Sequence, residues 1–134
     1  MSPNADQGRP RRRPPGFAGV AVEYGLLLPA LLFLVLGVID AGRVIWTQVT
    51  LEHAVEAAAR CAAINSTLCG TTAQIQAYAV TQAYGLTIAA SAFTPTTTTC
   101  GARVTGTFAF SFITPWIGQK NLTLQATSCQ PIAS

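Results

Sequence analysis

Residues 17–39, FAGVAVEYGLLLPALLFLVLGVI, form a run of 23 residues whose only charge is Glu23. A bilayer-crossing helix needs about 20 such residues, so this run decides where everything after it lies. Gly25, Pro29 and Gly37 would weaken a helix in water but are tolerated in a membrane helix. Pro29 frees the carbonyl four residues back and predicts a modest bend. The acid is the anomaly. A carboxylate at the centre of a membrane helix costs roughly 2.5–3.5 kcal/mol and less near the edge, and such a group is by default a functional one with a cationic or donor partner.

The charges around the run fix its orientation. Arg9, Arg11, Arg12 and Arg13 precede it with a single acid, Asp6, and they set the net charge of +3. Basic residues at the mouth of an apolar span predict a cytoplasmic N-terminus, with the C-terminal part outside the cytoplasm. A basic tail also suits nucleic acid, but an apolar run within a few residues favours the membrane, and no nucleic-acid partner is expected. Residues 1–16, rich in Pro, Gly and Arg, have almost nothing to bury and read as a disordered cytoplasmic leader.

No helix stop follows Ile39. Asp40 to Asn65 continues rich in alanine, so one helix is predicted from about residue 19 to 64, roughly 70 Å at 1.5 Å per residue. Ile45, Val49, Ala57, Cys61 and Ile64 fall near one face, with Arg43, Thr47, Thr50 and Glu56 away from it. Glu56 and Arg60 form an i,i+4 pair in the favoured order. Thr71 or Thr72 can cap a second helix, AQIQAYAVTQAYG, that Gly85 can end.

Strand patterns come next. LTIAASAF (86–93) reads as a strand and TPTTTT (94–99) as a polar loop. ARVTGTFAFSFI alternates, with Val104, Phe108, Phe110 and Phe112 on one face, and NLTLQATS turns Leu122, Leu124 and Ala126 inward. Between these two, TPWIGQKN carries turn residues and places Trp116 at a hairpin tip, for partner contact or for packing. The fold class is α+β: a long helix, a short helix and a small antiparallel sheet packed on the helix, in an extracytoplasmic domain of residues 65–134.

Cys61, Cys69, Cys100 and Cys129 all follow the apolar run. An even number in an oxidising compartment favours two disulfides, and the spacing lacks the close pairs of structural zinc sites. A core this small needs such staples. Cys61–Cys69 closes the turn after the long helix; Cys100–Cys129 joins the start of one strand to the end of its partner. The parity of the two strands does not align that second pair, and a bulge at Gly101 would repair the register.

Catalysis is not expected. His53, the only histidine, sits between Glu52 and Glu56 on a helix, too few ligands for a metal and best read as a surface or interface residue. After Arg60 the only charges are Arg103 and Lys120, so no carboxylates exist there for acid–base work. No serine sits in a nucleophile elbow and no phosphate-binding glycine loop occurs. No cofactor, metal or small-molecule substrate is implied. A signal peptide cut after Ala41 is the main rival, releasing a secreted, disulfide-stapled binding module; the run is long for that purpose.

The stretch RRRPPGFAGVAVEYGLLLPALLFLVLGVIDAGRVIWTQVTLEHAVEAAARCAA resembles the N-terminal half of TadE-like proteins, minor pilins or pseudopilins of tight-adherence (Tad, or Flp) pilus systems. The AVEY segment, LLLP, the exit VIDAGR and the Ala-Ala-Arg ending carry the likeness together. Residues 100–128 resemble the family's closing hairpin more loosely. The resemblance implies a pilin-like fold anchored in the inner membrane, whose partners are other Tad pilus subunits and the assembly platform. It implies prepilin-peptidase cleavage between Ala18 and Gly19, making Glu23 the fifth residue; cuts after Gly16 or Gly19 would make it the seventh or fourth. Glu23 and Tyr24 are then the assembly residues, and the domain after the helix favours a minor rather than a major subunit.

Overall fold

The computed structural model describes residues 16–113 and 121–132, with backbone alone at 16–18 and 20. The leader before residue 16, Trp116 and Lys120 therefore lie outside the described residues. The chain divides into two compact units, Met1–Val35 and Leu36–Ser134.

In the first unit the described chain is the opening part of helix α1, Gly16–Ile64, which runs through Pro29. Its side chains are exposed on every side, from Val22 and Tyr24 to Leu34 and Val35. An α-helix that is apolar all round has no water-facing side, so it needs lipid or protein around it. By length and composition α1 qualifies as a membrane span.

The second unit is built on the rest of α1. Helix α2 (Ser66–Cys69) follows at once, capped by the Asn65 side chain, which accepts the Leu68 N–H. Helix α3 (Thr72–Gln82) begins in a capping box: Thr71 accepts the Gln74 N–H while the Gln74 side chain accepts the Thr71 N–H. The helix stops at Gln82, before the expected Gly85: Ala83 still gives its N–H to Ala79 and Val80, but its own ψ of 60° leaves the helix, and its carbonyl accepts the Leu86 N–H. Gly85, with φ +76°, reverses the chain after that.

The sheet is antiparallel in the order β1-β2-β3: Phe93–Thr98, Gly101–Ser111 and Asn121–Gln130. The segment expected to be the first strand is not one. Residues 86–89 are irregular and Ala90–Ala92 form a 3-10 turn, while the presumed loop TPTTTT supplies most of β1. Alanine and serine favour strands weakly, whereas β-branched threonines suit an exposed pleat. Pro95 is permitted because β1 is an edge strand.

The packed face of α1 also differs from the expected one. Of that face Cys61 is buried and Ala57 half-buried, but Ile45 and Val49 are 64% and 59% exposed and Ile64 is exposed too, whereas Thr47, Leu51, Ala54, Val55, Ala58 and Ala59 are buried. The sheet brings the bulky groups, Phe93, Val104, Phe110 and Leu124, so the helix side is filled mainly by small ones. Ranking positions by aliphatic size picks the wrong stripe. Thr47 tolerates burial because its hydroxyl donates to the Arg43 carbonyl at 2.8 Å. At Gly106 a Cβ would lie 2.9 Å from Val55 Cγ1 and 3.0 Å from Leu51 Cδ1, so glycine lets strand and helix meet there.

The disulfides join Cys61 to Cys69 and Cys100 to Cys129, with Cα–Cα separations of 5.8 and 6.4 Å. Thr98 pairs with Gly101, which puts Cys100 in the turn between β1 and β2, outside the ladder. No bulge is needed, since the parity conflict disappears once Cys100 leaves the strand. Gly101 instead takes φ +120°, and a Cβ there would run into the Gln130 carbonyl.

Candidate functional site

The processing and assembly residues singled out by sequence lie along α1. Ala18 and Gly19 occupy its first turn. Glu23 and Tyr24 follow one turn later, both exposed. Glu23 makes no hydrogen bond or ion pair with any described residue, and its neighbours at i+3 to i+5 are Leu26, Leu27 and Leu28. A carboxylate on such a surface is held only by whatever packs against it. Tyr24, Leu27, Leu28, Leu31 and Leu34 form an apolar stripe, and Tyr24 can add a hydroxyl to its polar end.

A second group of side chains stands at the start of the other unit, and sequence reasoning passed over it. Asp40 is only 2% exposed. Its Oδ1 accepts from Arg43 Nη1 at 3.2 Å and from the backbone N–H of Ile113 at 3.2 Å. Arg43 lies over the Phe110 ring, 5.1 Å from its centroid, and Phe110 meets Phe112 edge-on at 5.3 Å. The buried carboxylate is thus satisfied by a cation one turn on and by the chain leaving β2. The signal was present as an acid and a base at i,i+3, with Asp40, Val44, Thr47 and Leu51 marking the buried stripe.

Elsewhere the arrangement is structural. The i,i+4 ion pair expected between Glu56 and Arg60 does not form; the ion pair among the described residues is Asp40–Arg43. His53, Glu56 and Arg60 line an open groove of about 360 Å³ with Asn65 and Tyr78, and among the described residues no three metal-binding side chains cluster. What α1 offers chemically is a lone acid on an apolar surface and, in the other unit, a satisfied ion pair.

Residues 19–60 match the family model of TadE-like protein, a stretch that covers Glu23, Tyr24, Asp40 and Arg43. No curated protein and no solved structure matches the chain. The VEY and IDAGR motifs that carried the resemblance fall inside the matched stretch, and over residues 19–60 this chain is similar to TadE-like protein.

Proposed function

We propose that the protein is a minor pilin or pseudopilin that takes part, without catalysis, in assembling a Tad/Flp-type adhesion pilus. The observation that carries this is Glu23, exposed and unpaired among the described residues on an apolar helix that matches the TadE-like family. In this reading residues 17–39 span the inner membrane, the leader is cytoplasmic and residues 65–134 form the extracytoplasmic domain. Prepilin peptidase cuts between Ala18 and Gly19, creating an α-amino group at Gly19. Glu23 of one subunit neutralises that amine on its neighbour, so two charges that are costly apart become one pair and set the register between helices. Packing of the apolar faces supplies the rest, aided by small residues such as Gly25 and Ala30.

The place of Asp40 speaks against the secreted-module alternative. A signal-peptide cut after Ala41 would remove the acceptor of the Ile113 N–H and the partner of Arg43. N-terminal sequencing of the mature protein tests the route: a start at Gly19 is expected, and a start at Gly42 would overturn it. The role is tested by Glu23→Ala, which should abolish incorporation into the pilus machinery while leaving membrane insertion intact; normal incorporation would refute the charge-pairing step.

A further inference from the structure

The two free edges of the sheet are treated differently. On the β1 edge, Pro95 interrupts a six-residue strand and the Phe93 carbonyl accepts from Gln76 of α3 at 2.8 Å. The β3 edge is ten residues long, without proline, lysine or a break in register. The pairing shows which of its groups are free. The Phe93 carbonyl points away from the sheet, so Gly106 opposite it turns its N–H and C=O to Ala126. By alternation Thr123, Gln125 and Thr127 turn theirs outward. The one bond to this edge among the described residues is Gln48 Nε2 to the Gln125 carbonyl, at 3.3 Å. A long strand edge, unbroken in register and met by this single side-chain bond, is a template for another strand.

Beside this edge runs a groove of about 350 Å³ between α1 and β3, with Glu52, Val55 and Glu56 on one side and Gln125 to Ser128 on the other. Glu52 accepts from Gln48 at 2.7 Å, and Glu56 has no hydrogen bond or ion pair with a described residue. We propose that β3 is a strand-addition site for an extended segment of another protein that carries Lys or Arg at alternate positions. Its backbone pairs with Thr123, Gln125 and Thr127, and its helix-facing side chains meet Glu52 and Glu56. The spacing agrees: i,i+4 positions on a helix are about 5–6 Å apart, and alternate residues on a strand about 6.6 Å. Self-pairing of β3 is disfavoured because it would set a second Glu52 and Glu56 against the first. The inference rests on the sheet and stands apart from the pilus role.

The test uses the full chain in detergent micelles and a labelled peptide, Lys-Val-Lys-Thr-Lys-Val-Lys-Thr, followed by fluorescence anisotropy and residue-resolved amide exchange. Binding should slow exchange at Thr123, Gln125 and Thr127 but not at Leu124 or Ala126. Gln125→Pro, which removes an outward N–H and spares the β2–β3 ladder, should weaken binding about tenfold, an effect of hydrogen-bond size. The double change Glu52→Gln, Glu56→Gln should weaken it at least as much without altering the melting temperature. That pair, and a peptide N-methylated along one edge, keep the test decisive if the proline variant misfolds. Absence of binding, equal binding of the Glu-for-Lys or N-methylated peptide, or dimerisation abolished by Gln125→Pro would each overturn the proposal.

Discussion

Oδ1 of Asp40 accepts the backbone N–H of Ile113 at 3.2 Å, across 73 positions of sequence. The bond ties the chain leaving β2 to the helix where the folded unit begins, and it is partly buried. Asp40→Ala leaves that N–H without its acceptor and should lower stability by about 1–3 kcal/mol. Arg43→Ala should cost less, because that side chain is 44% exposed and its share of the pair is screened. Thermal unfolding of the detergent-solubilised variants checks the order; a larger loss at Arg43 would contradict it.

The packed face of α1 can be read out by a pair of truncations. Leu51→Ala should cost about 2–5 kcal/mol as a fully buried leucine is lost. Ile45→Ala and Val49→Ala should stay within about 0.5 kcal/mol in the same detergent. Equal losses at the two faces would reject the buried stripe described above.

At Gly106 the expectation is overpacking. Gly106→Ala puts a methyl group about 3 Å from the ends of Val55, Leu51 and Phe93, which must move, and the cost should be about 1–3 kcal/mol. Gly106→Val should cost more. Denaturation midpoints of the two variants give the comparison, and an unchanged midpoint for valine would show that the sheet stands off the helix.

The disulfides should differ in value. Cys61 and Cys69 are separated by 8 positions, Cys100 and Cys129 by 29. Chain-entropy arguments give about 2.5 kcal/mol for the shorter loop and about 3.6 kcal/mol for the longer. Paired Cys→Ala replacements, compared by equilibrium unfolding, should therefore cost more at Cys100 and Cys129.

Much of the fold was legible because single residues constrain it strongly. The apolar run and the alternation in β2 and β3 each have one economical reading, and the cap of α3 was narrowed to Thr71 or Thr72, of which the structure uses Thr71. The first strand was missed because threonine is read as loop by polarity and as strand by branching; pairing with β2 decided for branching. The helix face was missed because the sheet supplies the volume, a fact held in residues 93–126 and not in the helix. Of the candidate site, Glu23 stood out as a charge where none is expected. Asp40 did not, since burial of an acid at a helix position depends on a chain segment 73 residues away.

The glycine and alanines between helix and sheet carry a consequence for how this protein can change. Val55 meets the place where a side chain on Gly106 would begin, so the two positions share one fixed volume. A larger residue at 106 becomes tolerable only alongside a trimmed one at 55 or 51. Related chains should therefore vary at these sites in step, one shrinking where the other grows, while the threonines on the outer face drift independently.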